Sequence, residues 1–344
     1  MMLSHLQGPS VVFRIAGIAI LWLSFISFLH AYLNSDRGSS KKVLMGYMPV
    51  ITNLAAPLVD HVTRDREPYF EALKFGSFAE MAEAFRSKHI QVAFIIAPVA
   101  IALYQQGVPL RVVYIGNRHE STFIVRSGLS AGGSLDLSGK TVAVPIRYSG
   151  HLLALKRYFR QQGLDETSVS IVEVPPPDMP VALATGSIDG YFVGEPFAST
   201  SLKSGTGTRL LNVEEIWPKF ICNLMIVQED LIMSRPEWVQ QLVSAAVRSG
   251  LWAQGHIDEV VQITSKYWGQ DPEVIRFAFS EPRGRIRFDM YLPVEEELRE
   301  IGCEMQQAGF IQGELKLSGI VDDRFARRVD VSDVPSMRNI IPNP

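Results

Sequence analysis

Cysteine is nearly absent from this 344-residue chain: two residues, Cys222 and Cys303. No CxxC pair and no Cys/His cluster can be read from the spacing, so a zinc finger or an iron–sulfur site is not expected. Excess charge of one sign is also missing. The formal net charge is -3, with no basic stripe, which argues against nucleic acid as a partner. The motifs of common catalysis do not occur either. There is no GxSxG, HExxH, phosphate-binding P-loop or paired-carboxylate motif. What remains is ordinary globular composition, 47% hydrophobic and 20% charged, in a chain long enough for two cores. Both cysteines neighbour isoleucine (Ile221, Ile301), and two buried free thiols are expected.

One long stretch without charge is present. From Ile15 to Leu33 there is no Asp, Glu, Lys or Arg; Arg14 precedes it, and Ser35 to Lys42 is polar. This run is longer than the ~7–15 residues of a cleaved signal core. It approaches the ~20 residues that cross a bilayer. The expectation is an export signal or membrane anchor plus linker over residues 1–42, with Arg14 on the cytoplasmic side. The rest of the chain would lie in the periplasm or on the outer face of the cytoplasmic membrane.

Beyond the linker the pattern alternates strand and helix. Lys140 to Phe197 reads as β-α-β-α-β: TVAV, a helix opening at Ser149-Gly150-His151, VSIVEV, a helix from Asp178 to Gly186, and IDGYFV. Strand–helix alternation implies parallel pairing. The same alternation fills residues 43 to 115, where Ser77 and Glu80 form a capping-box pattern. Two extended runs, STFIV from Ser121 and LMIV from Leu224, bracket the central unit, and only helices follow them. The reading is an α/β protein of two β/α lobes joined by two crossover strands. Lobe 1 covers 43–124 and 226–330, lobe 2 is inserted at 125–225, and 331–344 is a C-terminal tail. Lobes joined in this way close on a ligand by hinge motion.

Several stretches carry a family resemblance: GYMPVITNLAAPL (46–58), IQVAFIIAPVAIAL (90–103), DLSGKTVAVPIRYSGHLLALKRYF (136–159), GSIDGYFVGEPF (186–197) and EEIWP (214–218). They resemble the periplasmic substrate-binding proteins of nitrate, bicarbonate, sulfonate and taurine ABC transporters. The resemblance implies a type II periplasmic-binding-protein fold with no catalysis and no cofactor. Its partners are a small-molecule ligand and a transporter permease, and the membrane if the N-terminal segment stays uncleaved. Other readings of the same fold are a thiamine-pyrimidine-type enzyme, which carries a cysteine-rich motif that this chain lacks, and a membrane-tethered sensor.

The candidate ligand contacts lie where strands end and helices begin, as in other open α/β sheets. Ser149, Gly150 and His151 open a helix whose N–H groups and dipole attract an oxyanion. His151 is also the residue that the resemblance to nitrate-binding members implies. It would donate either as a cation or from one neutral nitrogen. Glu195 sits at a second strand-to-helix turn, where it would meet an amine or hydroxyl of the ligand or simply stabilise the helix start. Tyr47, Thr52, Asn53 and Leu54 occupy the loop after the first strand, Pro98 begins the helix after VAFIIA, and Tyr148 offers a stacking surface. Lys219 stands one position away from a family lysine. The arginines Arg283, Arg285 and Arg287 fall on one face of an extended segment, where pairing with surface acids is expected.

Overall fold

The computed structural model describes residues 9–35, 42–129, 137–331 and 334–341. The linker read at 36–41 and parts of the tail (332–333 and 342–344) lie outside them. The chain divides into two compact units, Met1–Lys42 and Val43–Pro344.

The first unit is one helix, α1 (Pro9–Ser35). Its described side chains include the exposed Phe13, Ile18, Leu21, Trp22 and Phe28. They are apolar on all sides, so the helix lacks the polar face of an ordinary surface helix. Among the described residues no helix is long and apolar enough to cross a membrane; on α1 the described side chains run only from Phe13 to Leu29.

The second unit holds the remaining elements. Its first half comprises β1 (Lys42–Tyr47), α2 (Ala55–Thr63), β2 (Tyr69–Lys74), α3 (Phe78–Arg86), β3 (Val92–Ile96), α4 (Ala97–Gln105) and β4 (Leu110–Ile115). Then follow β5 (Ser121–Arg126), β6 (Thr141–Val144), α5 (Gly150–Gln162), β7 (Ser170–Glu173), α6 (Met179–Ala184), β8 (Gly190–Gly194), α7 (Phe197–Ser204) and β9 (Gly207–Asn212). The chain ends with β10 (Asn223–Gln228), α8 (Glu229–Ser234), α9 (Pro236–Gly255), α10 (Ile257–Trp268), α11 (Pro272–Ser280), α12 (Glu295–Gln307) and α13 (Arg324–Arg327).

These strands form two five-stranded sheets, ordered β2-β1-β3-β10-β4 and β7-β6-β8-β5-β9. Parallel pairing was expected from the strand–helix alternation and holds for β1 with β3 and for β6 with β7 and β8. The two crossover runs are different. Strand β5 enters the second sheet antiparallel to β8 and β9, and β10 enters the first antiparallel to β3 and β4. Each arrives from the other half without a crossover helix, so nothing forces it to run parallel. The links between the sheets are therefore short segments, 116–120 and 213–222.

Side-chain caps start α3, α5 and α11. Ser77 Oγ accepts from Glu80 N at 3.2 Å, and Ser149 Oγ from Leu152 N at 3.2 Å. Gly163 ends α5 and Gly269 ends α10 in the left-handed conformation. Asp178 was expected to cap α6, but its side chain makes no cap hydrogen bond; the preceding Pro176 and Pro177 wind that residue into a 3-10 turn instead.

One apolar cluster fills the space between the two sheets and around α4, α5 and α12; another lies behind the first sheet against α2, α9 and α10. The helices after β10 do more than complete the first half. Helix α11 packs on α7, and α12 reaches both α4 and α5, where Arg157 meets Glu300 at 2.9 Å and Arg160 meets Glu304 at 2.6 Å. Cys222 is buried as expected, but Cys303 is exposed. Leu298, Ile301, Gly302 and Met305 make the buried stripe of α12, and position 303, two residues past Ile301, turns to the opposite side.

Candidate functional site

Four strand-to-helix turns meet at one place. From the first sheet come the loop Val50–Leu54 after β1 and the start of α4. From the second come the start of α5 and the turn after β8. Backbone bonds tie them together: Ile51 N donates to Glu195 O at 2.9 Å and Ala97 N to Cys222 O at 3.0 Å. Two glycines permit the close approach. A Cβ at Gly116 would lie 2.1 Å from Thr52 O, and one at Gly150 3.0 Å from the Phe220 ring. Thr52, Asn53, Ser149, His151, Glu195, Glu120, Cys222 and Asn223 are all buried here.

The polar atoms are only partly matched. Asn53 Oδ1 accepts from Met48 N at 2.8 Å, which fixes the loop. Asn53 Nδ2, His151 Nδ1 and Asn223 Nδ2 have no hydrogen-bond partner, while the Thr52 and Ser199 side chains lie against Cys222 and Glu195. Buried polar atoms are ordinarily paired, so several orphans in one place mark a spot meant to receive something.

His151 lies on the first turn of α5 between the rings of Phe192 and Phe220, at 5.7 and 5.8 Å. Burial lowers its pKa to about 3, so the ring is neutral at physiological pH. Of the two sequence readings, this burial favours the neutral donor over the cationic one. Ser121 Oγ donates to Glu120 Oε1 at 2.7 Å, which leaves the same oxygen to accept from His151 Nε2–H at 3.0 Å. Cys222 Sγ lies 3.8 Å from that nitrogen and donates to Asn223 Oδ1 at 3.3 Å. Burial and the Glu120 carboxylate push the Cys222 thiol well up.

Two carboxylates face this region. Glu195 Oε2 accepts from Ser199 N at 2.9 Å, inside the first turn of α7, and burial raises its pKa to about 7. Glu120 accepts from the Glu195 backbone N–H at 2.7 Å, and burial raises its pKa too. Arg285 is the cation that acts on both, yet it is committed elsewhere. Its Nε bonds Glu214 Oε1 at 2.8 Å, and its other nitrogens reach Ser121 O at 2.7 Å and Thr122 Oγ1 at 3.0 Å. Arg118 binds the Lys219 carbonyl at 2.7 Å and Glu297 at 2.6 Å. These two arginines thus hold both linking segments. Of the three arginines expected to pair with surface acids, Arg287 does so with Asp289, and the half-buried Arg285 pairs with Glu214.

The sequence candidates separate into two sets. Thr52, Asn53, Pro98, Ser149, Gly150, His151 and Glu195 are brought together. Leu54 and Tyr47 turn into the core behind the first sheet, where Tyr47 Oη donates to Tyr267 O at 3.2 Å. Lys219 is exposed and contributes its carbonyl. Tyr148 is 45% exposed and stacks on Phe310 at 4.9 Å. It lines a groove of about 860 Å³ together with Val99, Ala102 and Ile146. A second groove of about 450 Å³ runs between Met48, Phe75 and Trp268 on one side and Pro180 and Phe197 on the other. Sequence reasoning missed Glu120 and Asn223 at the site and gave Cys222 no role there. Each sits at an end of a linking segment, and no local motif announces them.

Residues 38–265 match one protein family, described as NMT1-like. The chain belongs to the NMT1-like family. It is 29% identical over 182 residues to the taurine-binding periplasmic protein of Escherichia coli, covering 51% of this chain and 54% of that one. It is 25% identical over 146 residues to the nitrate/nitrite binding protein NrtA of Synechococcus elongatus, covering 40% of this chain and 33% of that one. The chain thus spans about half or less of the length of these two curated relatives. Solved structures share the fold of this NMT1-like chain. The ligand-binding component of an ABC-type import system from Staphylococcus aureus, solved with zinc bound, superposes with a TM-score of 0.75 at 20% identity, covering 84% of this chain and 99% of that one. The nitrate-binding protein NrtA from Synechocystis gives 0.72 at 15% identity, covering 83% and 87%. The architecture is therefore that of type II periplasmic binding proteins.

Proposed function

We propose that this chain is the solute-binding component of an ABC importer. It captures a small molecule between its two halves and presents the closed form to a permease. The observation that carries this reading is the meeting of four strand-to-helix turns, two from each sheet, around buried polar atoms that lack partners. A ligand that pairs those atoms stabilises the closed arrangement, and the shift equals its preference for closed over open. Residues 43–124 with 226–330 and residues 125–225 act as the two lobes. Thr52, Asn53, Ser149, His151 and Glu195 supply the contacts. The apolar α1 directs export, places the remainder outside the cytoplasmic membrane, and tethers it there if retained.

The charge of the site narrows the solute. Two buried carboxylates, a neutral imidazole and no uncommitted cation among the described residues disfavour a bare nitrate or bicarbonate ion. They favour a solute that brings its own positive or donor group, such as an amino-sulfonate. The taurine-binding relative is consistent with that chemistry.

A thermal-shift screen of the full chain tests the proposal with taurine, alkylsulfonates without an amine, nitrate, bicarbonate and pyrimidines. An amine-bearing solute at 100 times its Kd stabilises by about 2.7 kcal/mol. Changing Ser149 and His151 together to alanine weakens its binding at least tenfold, roughly 1.4 kcal/mol. A chain stabilised by none of these solutes overturns the importer reading; one stabilised only by nitrate or bicarbonate overturns the charge argument.

A further inference from the structure

Glu120, His151 and Cys222 form a compact cluster whose ligand atoms all lie within 4.8 Å of one another, and all three residues are buried. They come from three places: the end of the first linking segment, the first turn of α5 and the end of the second linking segment. We propose that this cluster is a binding site for a zinc-like divalent transition-metal ion, with three protein ligands and one open position.

The geometry matches that size of ion. Zinc sits about 2.3 Å from a thiolate sulfur and about 2.0 Å from an imidazole nitrogen, so a tetrahedral site sets the two roughly 3.5 Å apart. Here Cys222 Sγ and His151 Nε2 are 3.8 Å apart. The donor set of thiolate, imidazole and carboxylate suits zinc and its neighbours and disfavours calcium and magnesium, which take oxygen ligands.

Electrostatics give a second reason. A carboxylate is buried against a thiol and a neutral ring, and its nearby guanidinium is bonded to Glu214. Burying an uncompensated charge is costly. A divalent ion balances one carboxylate and one thiolate, leaving no net charge. His151 Nδ1 has no hydrogen-bond partner, so it can take the imidazole proton when Nε2 turns to the ion, and the Thr52 hydroxyl stands beside the Cys222 thiol. Binding releases the thiol proton to solvent and moves the imidazole proton from Nε2 to Nδ1, freeing Nε2 as a donor of its lone pair. The zinc-bound Staphylococcus aureus structure is alike in fold alone at 20% identity; the case here rests on these three side chains.

Such an ion fastens both linking segments to α5, so metal content sets how freely the halves move. The test is metal titration of the full chain after chelator treatment, followed by calorimetry with zinc and absorption with cobalt. Wild type is expected to take one equivalent of zinc and to show a near-ultraviolet thiolate-to-cobalt band. Cys222→Ser and Glu120→Gln are each expected to weaken zinc binding at least 100-fold, and Cys222→Ser abolishes the band. Melting of the metal-free variants checks folding, and the cobalt band of wild type reports sulfur ligation independently of any variant. No stoichiometric zinc, cobalt bound without the thiolate band, or affinity unchanged in both folded variants overturns the site. The solute screen repeated in chelator separates the two ideas: solute binding with no metal binding leaves the importer reading standing and removes this one.

Discussion

Asp60 and Glu195 are both buried acids, at 3% and 2% exposure, yet their surroundings are opposite. Asp60, behind the first sheet, accepts four hydrogen bonds. They come from Arg64 at 3.0 Å, Tyr267 at 2.7 Å, Tyr69 at 3.2 Å and the Ala72 backbone at 2.7 Å. A cation is among the donors, and the carboxylate joins α2, β2 and α10. Glu195 is met only by Ser199, through its backbone N–H at 2.9 Å and its side chain, and among the described residues it shares the cation of Arg285 with Glu120 and Glu214. A carboxylate with full pairing is a joint that holds structure. One with fewer donors and no cation of its own keeps a raised pKa, the mark of a group available for a ligand in the proposed reading.

The contrast can be broken by mutation. The largest effect is expected at Asp60→Ala, which strands three donors and a guanidinium and destabilises by about 3 kcal/mol in urea denaturation. A loss under 1 kcal/mol would mean that the joint carries little. Glu195→Gln is expected to act in the other direction, stabilising the ligand-free chain at pH 8 by on the order of 2 kcal/mol. The sign follows from the raised pKa. The folded form holds the proton more tightly, so the contribution of Glu195 is complete below its ordinary value of 4.5 and gone above about 7. Stability therefore declines with rising pH across that window, and the glutamine variant flattens the decline. A wild-type profile already flat between those values would refute it. Tyr267→Phe removes one of the four donors of Asp60 and is expected to cost about 1.5 kcal/mol. Ser149→Ala removes only the cap of α5, about 1 kcal/mol, measurable as a small shift in Tm.

The sequence made the local parts of the fold legible. Alternating β-branched runs and helix-start residues located most strands and helices of residues 43–126 and 140–197, because each depends on residues within a few positions, but left β9, α8 and α13 unread. The start of α5 and the turn at Glu195 could be found the same way. Glu120 and Cys222 could not. They lie 31 and 71 residues from His151, and only the return of the chain through both linking segments brings them beside it. Tyr47 shows the converse. It is the last residue of β1, the strand that leads to the site, and strand alternation turns it to the rear core. The charge state of His151 was equally hidden, since it depends on Phe192 and Phe220, which arrive from β8 and the second linking segment.

Arg285 has a consequence for motion. One rigid, planar group grips Ser121 and Thr122 on one ribbon and Glu214 on the other. Its spread of donors is fixed by resonance, so the ribbons cannot slip past each other while it stays bonded. If the halves swing as proposed, the two ribbons would have to bend in step, with Arg285 and Arg118 together keeping them in register.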